Sequence, residues 1–175
     1  VGADAARYTL VSRSSNQTID FDIEKVKEKT ADNPVFYVQY AHARICSILR
    51  KAAGVTPEQA DLMGMENVAI KAIYGDVDYS LLTDPTELAL SRKLSELQDL
   101  IAGAARDRAP FRITHYVEEL ASAFHSFYAA CQVLPSEGRP VDSAVVRARL
   151  GACDAVRSVI ALCLSLIGVS APTQM

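Results

Sequence analysis

Apolar residues recur along this chain at intervals of three and four, and no segment sustains an alternation of period two, so the pattern predicts helices almost throughout. A first helix is predicted from Asp4 to Val11, then a polar loop from Ser12 to Asn16. A short charged helix follows from about Asp22 to Lys29, and Asp32-Asn33-Pro34 breaks it and starts the next. From Val35 to Ala53 the residues divide into two stripes at helical spacing. Val38, Ala41, Ile45, Ile48, Leu49 and Ala52 form an apolar face, and Tyr40, Arg44, Ser47 and Lys51 fall on a narrow polar line beside it.

Gly54 ends that helix, and Thr56-Pro57-Glu58-Gln59 is a capping box that opens a short one reaching about Met63. The stretch from Gly64 to Thr83 has no firm period and reads as an irregular connection with room for one helical turn. Asp84-Pro85-Thr86-Glu87 repeats the capping pattern and opens a helix predicted to run through about Arg106. After Pro110, the residues Ile113, Val117, Leu120, Phe124, Phe127 and Cys131 make a continuous apolar stripe, with Tyr128 at its edge. Ser136-Glu137-Gly138-Arg139-Pro140 is a turn. A last helix from near Ser143 to Ile167 is expected to bury Val145, Ala152, Val156, Val159, Cys163 and Leu166, with Gly168 as its C′ residue. The tail from Val169 to Met175 contains Pro172 and cannot be helical throughout. Long helices joined by short turns describe an all-α antiparallel helix bundle.

A length of 175 residues with 50% hydrophobic content suits one domain with a substantial core. No apolar run approaches a membrane span, so no membrane partner is expected. The net charge of −3 excludes a uniformly basic nucleic-acid binder and gives no reason to expect DNA as a partner. The charge is unevenly placed, with three bases and no acid from Pro34 to Gly54 but nine acids against three bases from Val55 to Leu100. Cys46, Cys131, Cys153 and Cys163 are widely spaced in apolar helices, which favours reduced core thiols and the cytoplasm. The chain begins with Val1 and reads as a piece of something longer.

The phosphate-binding glycine loops and the G-x-S-x-G nucleophile motif are absent. His115, Glu119 and His125 lack a companion cluster and read as helix surface rather than a metal site. Asp20 and Asp22 read as the cap of the charged helix, and His42 as a packed or partly exposed imidazole. The line of Tyr40, Arg44, Ser47 and Lys51 joins a stacking surface to positive charge, as a site for unpaired bases requires. On spacing alone it is equally well a half-buried ring beside ordinary surface cations.

The run Asn33-Pro34-Val35-Phe36-Tyr37-Val38-Gln39-Tyr40-Ala41-His42-Ala43-Arg44-Ile45 resembles the signature of arginyl-tRNA synthetases. Upstream Ala3-Asp4-Ala5-Ala6-Arg7-Tyr8, and downstream His115-Tyr116, Ala123-Phe124-His125-Ser126-Phe127-Tyr128 and Leu166-Ile167-Gly168-Val169, follow the same family's order. The resemblance implies the end of a catalytic region over residues 1–32, then a helical anticodon-binding domain over 33–175. It implies that Tyr40 and Arg44 meet the anticodon loop of arginine tRNA, that Tyr128 offers a second ring, and that Met175 closes the base pocket with its main chain. Ser47 and Lys51 continue the same line, and Gln132 stands one turn after Tyr128, where some relatives carry a second aromatic.

No cofactor is expected in this fragment and no catalytic residue is assigned to it, because the family's two ATP-site signatures lie upstream of Val1. ATP with magnesium is expected for the full-length ligase, and a monomer is the expected state. The alternative from another class is a helical protein-interaction module that docks through its acidic stretch, and a synthetase relative without catalysis is a third.

Overall fold

The computed structural model describes residues 2–14, 16–18, 22, 30 and 32–175. Helix α1 spans Ala3–Val11, α2 Pro34–Ala53, α3 Pro57–Met63 and α4 Met65–Ala72. A 3₁₀ turn at Tyr79–Leu81 precedes α5 (Pro85–Ser95), α6 (Leu97–Arg106), α7 (Phe111–Ala130) and α8 (Ser143–Leu166). Among the described residues there is no strand beyond an isolated bridge between Ser136 and Arg139. The charged helix expected from 22 to 29, with Asp20 in its cap, falls outside the described residues except for Asp22.

The core forms where α2, α7 and α8 meet, and it is built from the stripes the periodicity picks out. Val38, Ile45 and Leu49 of α2, Val117, Leu120, Phe124 and Phe127 of α7, and Val156, Ile160 and Leu164 of α8 are all fully buried. Each such side chain contributes on the order of 1.5–3 kcal/mol on leaving water. Tyr8 of α1 joins the same core, its hydroxyl donating to Glu118 Oε1 at 2.8 Å. All four cysteines are buried free thiols. Burial pushes Cys46 up to about 11 and Cys163 up to about 12, so both stay protonated at neutral pH. No described helix is long and apolar enough to cross a membrane.

Both predicted capping boxes form. The Thr56 hydroxyl accepts from Gln59 N while the Gln59 side chain accepts from Thr56 N, and Asp84 with Glu87 repeats the arrangement. Helices α2 and α8 each end in a left-handed glycine, Gly54 at φ 63° and Gly168 at φ 70°. The second of these turns the chain back. The amides of Gly168 and Val169 donate to Ser165 and Leu164, completing a Schellman motif, and the tail then runs along α2. Because Arg7 donates to the Gly168 carbonyl and Gln39 to that of Ser170, the end of α8 lies against the start of α2, and the two helices are antiparallel.

Three expectations are corrected. The stretch from Gly64 to Thr83 is not irregular, since it contains α4, whose Met65, Val68 and Ala69 are buried, and the 3₁₀ turn. The helix expected from Pro85 to Arg106 is divided at Glu96. There the Tyr116 hydroxyl donates at 2.9 Å to the Lys93 carbonyl, the acceptor an unbroken helix would offer to Leu97. In α8, Leu166 is half exposed at 50% and Val159 is only partly buried, because both lie at the edge of the face that Val156, Ile160, Cys163 and Leu164 bury, and Val145 in the first turn is also only partly buried.

Candidate functional site

Tyr40, Arg44, Ser47 and Lys51 of α2 face one open cleft of about 880 Å³. Tyr128 from the end of α7, Gln132 from the loop after it, and Met175 from the tail complete its walls, so all seven residues expected in the site line the same cavity. Tyr40 and Tyr128 are 37% and 39% exposed, so each offers one face to the cleft while the other packs inward.

At its centre a cation sits between two rings. The Arg44 guanidinium carbon lies 4.6 Å from the Tyr40 ring centroid and 5.1 Å from that of Tyr128, and Nη2 donates to the Tyr40 hydroxyl. Such contacts contribute about 0.5–1 kcal/mol each at exposed sites. Each tyrosine is backed by a further ring, Phe36 behind Tyr40 at 6.3 Å and Phe124 behind Tyr128 at 5.9 Å. His125 lies 6.0 Å from Tyr40 and 4.8 Å from Tyr37. Burial, then the nearby Arg44 charge, pulls its pKa below the ordinary imidazole value, so it is a neutral packing group at pH 7.

Arg50 and Arg139 also line the cleft, which gives it four cations with Arg44 and Lys51, and no Asp or Glu is among its lining residues. The acidic half of the charge asymmetry lies elsewhere. Ion pairing at His115's helix face is ordinary surface chemistry: exposed Glu119 pairs with Lys93 at 2.9 Å.

The tail reaches the cleft because α2 holds it. Gln39 Nε2 donates to the Ser170 carbonyl at 3.0 Å, His42 Nδ1 to that of Pro172 at 2.8 Å, and Arg50 Nη1 to that of Thr173 at 2.9 Å. A carbonyl can only accept, so the His42 proton resides on Nδ1. Burial lowers the pKa of this imidazole and the Arg157 charge lowers it further, against the Pro172 bond. The packed imidazole expected at His42 is therefore also a structural donor. Sequence reasoning missed this role for His42 and Arg50. The signal is that residues 39, 42 and 50 are polar positions on one face of a helix otherwise apolar there.

Arg139, which the sequence marks only as part of a turn, lines the cleft as well. Gln132, by contrast, lines the cleft but spends its amide on the loop, donating to the carbonyls of Leu134 at 2.9 Å and Arg139 at 3.0 Å.

Comparison with known proteins identifies the family. The family model described as "DALR anticodon binding domain" matches residues 38–175. The arginine–tRNA ligase of Symbiobacterium thermophilum is 46% identical over 175 residues, covering all of this chain and 28% of the relative. That of Frankia alni is 45% identical, covering all of this chain and 29% of the relative. The chain thus spans under a third of the length of these relatives. The solved Thermus thermophilus arginyl-tRNA synthetase superposes with a TM-score of 0.74 at 27% identity, over 98% of this chain and 26% of that one. With a family match that takes in both the tyrosine–arginine stack and the clasped tail, the chain belongs to the DALR anticodon-binding domain family.

Proposed function

We propose that this chain is the anticodon-binding part of an arginine–tRNA ligase and that the cleft receives the anticodon loop of arginine tRNA. The observation that carries the reading is Arg44 seated between Tyr40 and Tyr128 in a cleft with four cations and no carboxylate side chain. Unpaired bases stack on exposed aromatic and guanidinium planes at about 1–3 kcal/mol per base, and adjacent cations hold the backbone. An entering base takes a tyrosine face, and Arg44 keeps the opposite ring or turns to a phosphate. Ser47 offers a hydroxyl and Lys51 a mobile charge from the same helix face, and the Met175 main chain closes the pocket from the tail side.

In the full-length enzyme this grip orients the tRNA so that its acceptor end reaches a catalytic site on another part of the protein. Arginine activation, with ATP and magnesium, is assigned to that part, and the present chain alone does not charge tRNA.

The test is binding of the chain to a labelled arginine anticodon stem-loop and to one with a changed central anticodon base. Preference for the first is expected, with affinity falling as salt rises. Equal binding to both overturns the reading.

A further inference from the structure

The loop between α7 and α8 is built to a degree that a mere connection does not require. It begins at Cys131, whose thiol lies 3.6 Å from Thr86 Oγ1 at the capped start of α5. Gln132 then turns its side chain back into the loop, reaching the Leu134 carbonyl, Ser136 Oγ at 3.2 Å and the Arg139 carbonyl. Ser136 and Arg139 exchange both backbone hydrogen bonds, at 3.2 and 2.9 Å. From beneath, Arg149 of α8 donates through Nη1 to the Gln132 carbonyl at 2.8 Å. Arg149 is itself held by Glu87, whose Oε1 accepts from Nε at 2.6 Å.

Glu87 is 2% exposed, and a carboxylate is costly to bury. Its two oxygens serve the α5 cap and Arg149, so a buried ion pair fixes the height of a surface loop. What the loop presents at the cleft is Arg139, exposed and in no ion pair among the described residues. The other cations differ. Arg44 is stacked and Arg50 is tied to Thr173, which leaves Lys51 on α2 and Arg139 on the loop as the cations available on two sides of the opening.

We propose that the 132–139 loop is a preorganised phosphate-binding rim of the cleft, with Arg139 as its contact to the RNA backbone and Gln132, Arg149 and Glu87 as positioning residues. The proposal rests on the anticodon reading for the identity of the ligand. Prior fixation of the loop lets the charge meet a phosphate with little ordering cost on binding.

The test uses the chain and the arginine anticodon stem-loop over a series of salt concentrations. Arg139→Gln is expected to weaken binding about tenfold at low salt. It should also make the log–log salt slope shallower by about 0.7, the value for one phosphate of a single strand. Arg139→Lys should restore the slope. Gln132→Ala should weaken binding, and the double variant Gln132→Ala with Arg139→Gln should be no weaker than Arg139→Gln alone, since the loop then positions nothing. If the parent binds the cognate stem-loop selectively while Arg139→Gln keeps both its affinity and its slope, the rim assignment falls and the anticodon reading stands. If the parent shows no selectivity, the anticodon reading falls and the rim with it.

Discussion

The imidazole of His42, 3% exposed in the middle of α2, donates a 2.8 Å hydrogen bond to the carbonyl of Pro172, three residues before Met175. A group in the body of the bundle thereby governs where the tail lies. His42→Ala leaves that carbonyl without its donor, at a cost of about 1–3 kcal/mol, and frees the tail. Faster amide hydrogen exchange over residues 169–175 and weaker stem-loop binding are expected. Unchanged exchange in the variant would refute the clasp.

The two depressed imidazoles make stability depend on pH. His42 and His125 are neutral in the fold, and their folded pKa values lie below the unfolded value of about 6.5. The unfolded chain therefore binds more protons once pH falls through that value, and stability rises with pH in this window. Between pH 7.5 and 5.5 the melting temperature should fall as pH falls, with a limiting slope of about 1.4 kcal/mol per pH unit for each proton taken up. His125→Gln should flatten the dependence, and a melting temperature constant across this range would contradict it.

Tyr40→Ala should cost about 1–3 kcal/mol of stem-loop affinity. Its effect on folding should be small, because the ring is partly exposed and its removal opens no core cavity. Tyr40→Phe keeps the plane and loses only the bond from Arg44, so it should bind nearly as the parent does. Titration of the stem-loop with both variants, beside thermal melts, separates stacking from stability.

Two carboxylates should differ sharply in what their removal costs. Glu87→Ala strips a buried partner from Arg149, itself 17% exposed, and should destabilise by about 3–5 kcal/mol. Glu119→Ala removes an exposed partner of Lys93 and should cost about 0.5 kcal/mol or less. Urea denaturation of both variants gives the comparison directly.

The stripes of α2 and α7 were readable because periodic apolar residues over some five turns admit no other arrangement, and the cleft line of Tyr40, Arg44, Ser47 and Lys51 came with them. Helix α4 is hard to read because its eight residues, between Gly64 and Gly75, give a period little room to repeat, although Met65, Val68, Ala69 and Ala72 keep helical spacing. The break at Glu96 had no local sign, since the Tyr116 hydroxyl that takes the Lys93 carbonyl comes from 23 residues away. The partners of His42 and Arg50 are main-chain carbonyls, which every residue carries and which leave no mark on composition. The turn around Arg139 is plain, but its facing depends on Arg149 in the next helix and, through it, on Glu87, 62 residues from Arg149 along the chain.

By lodging its own guanidinium between Tyr40 and Tyr128, the chain bridges two rings from different helices with one cation. Since α2 supplies one ring and the cation and α7 the other ring, the two helices are tied together at the surface as well as through their buried stripes, and any movement of the guanidinium uncouples two walls of the cleft.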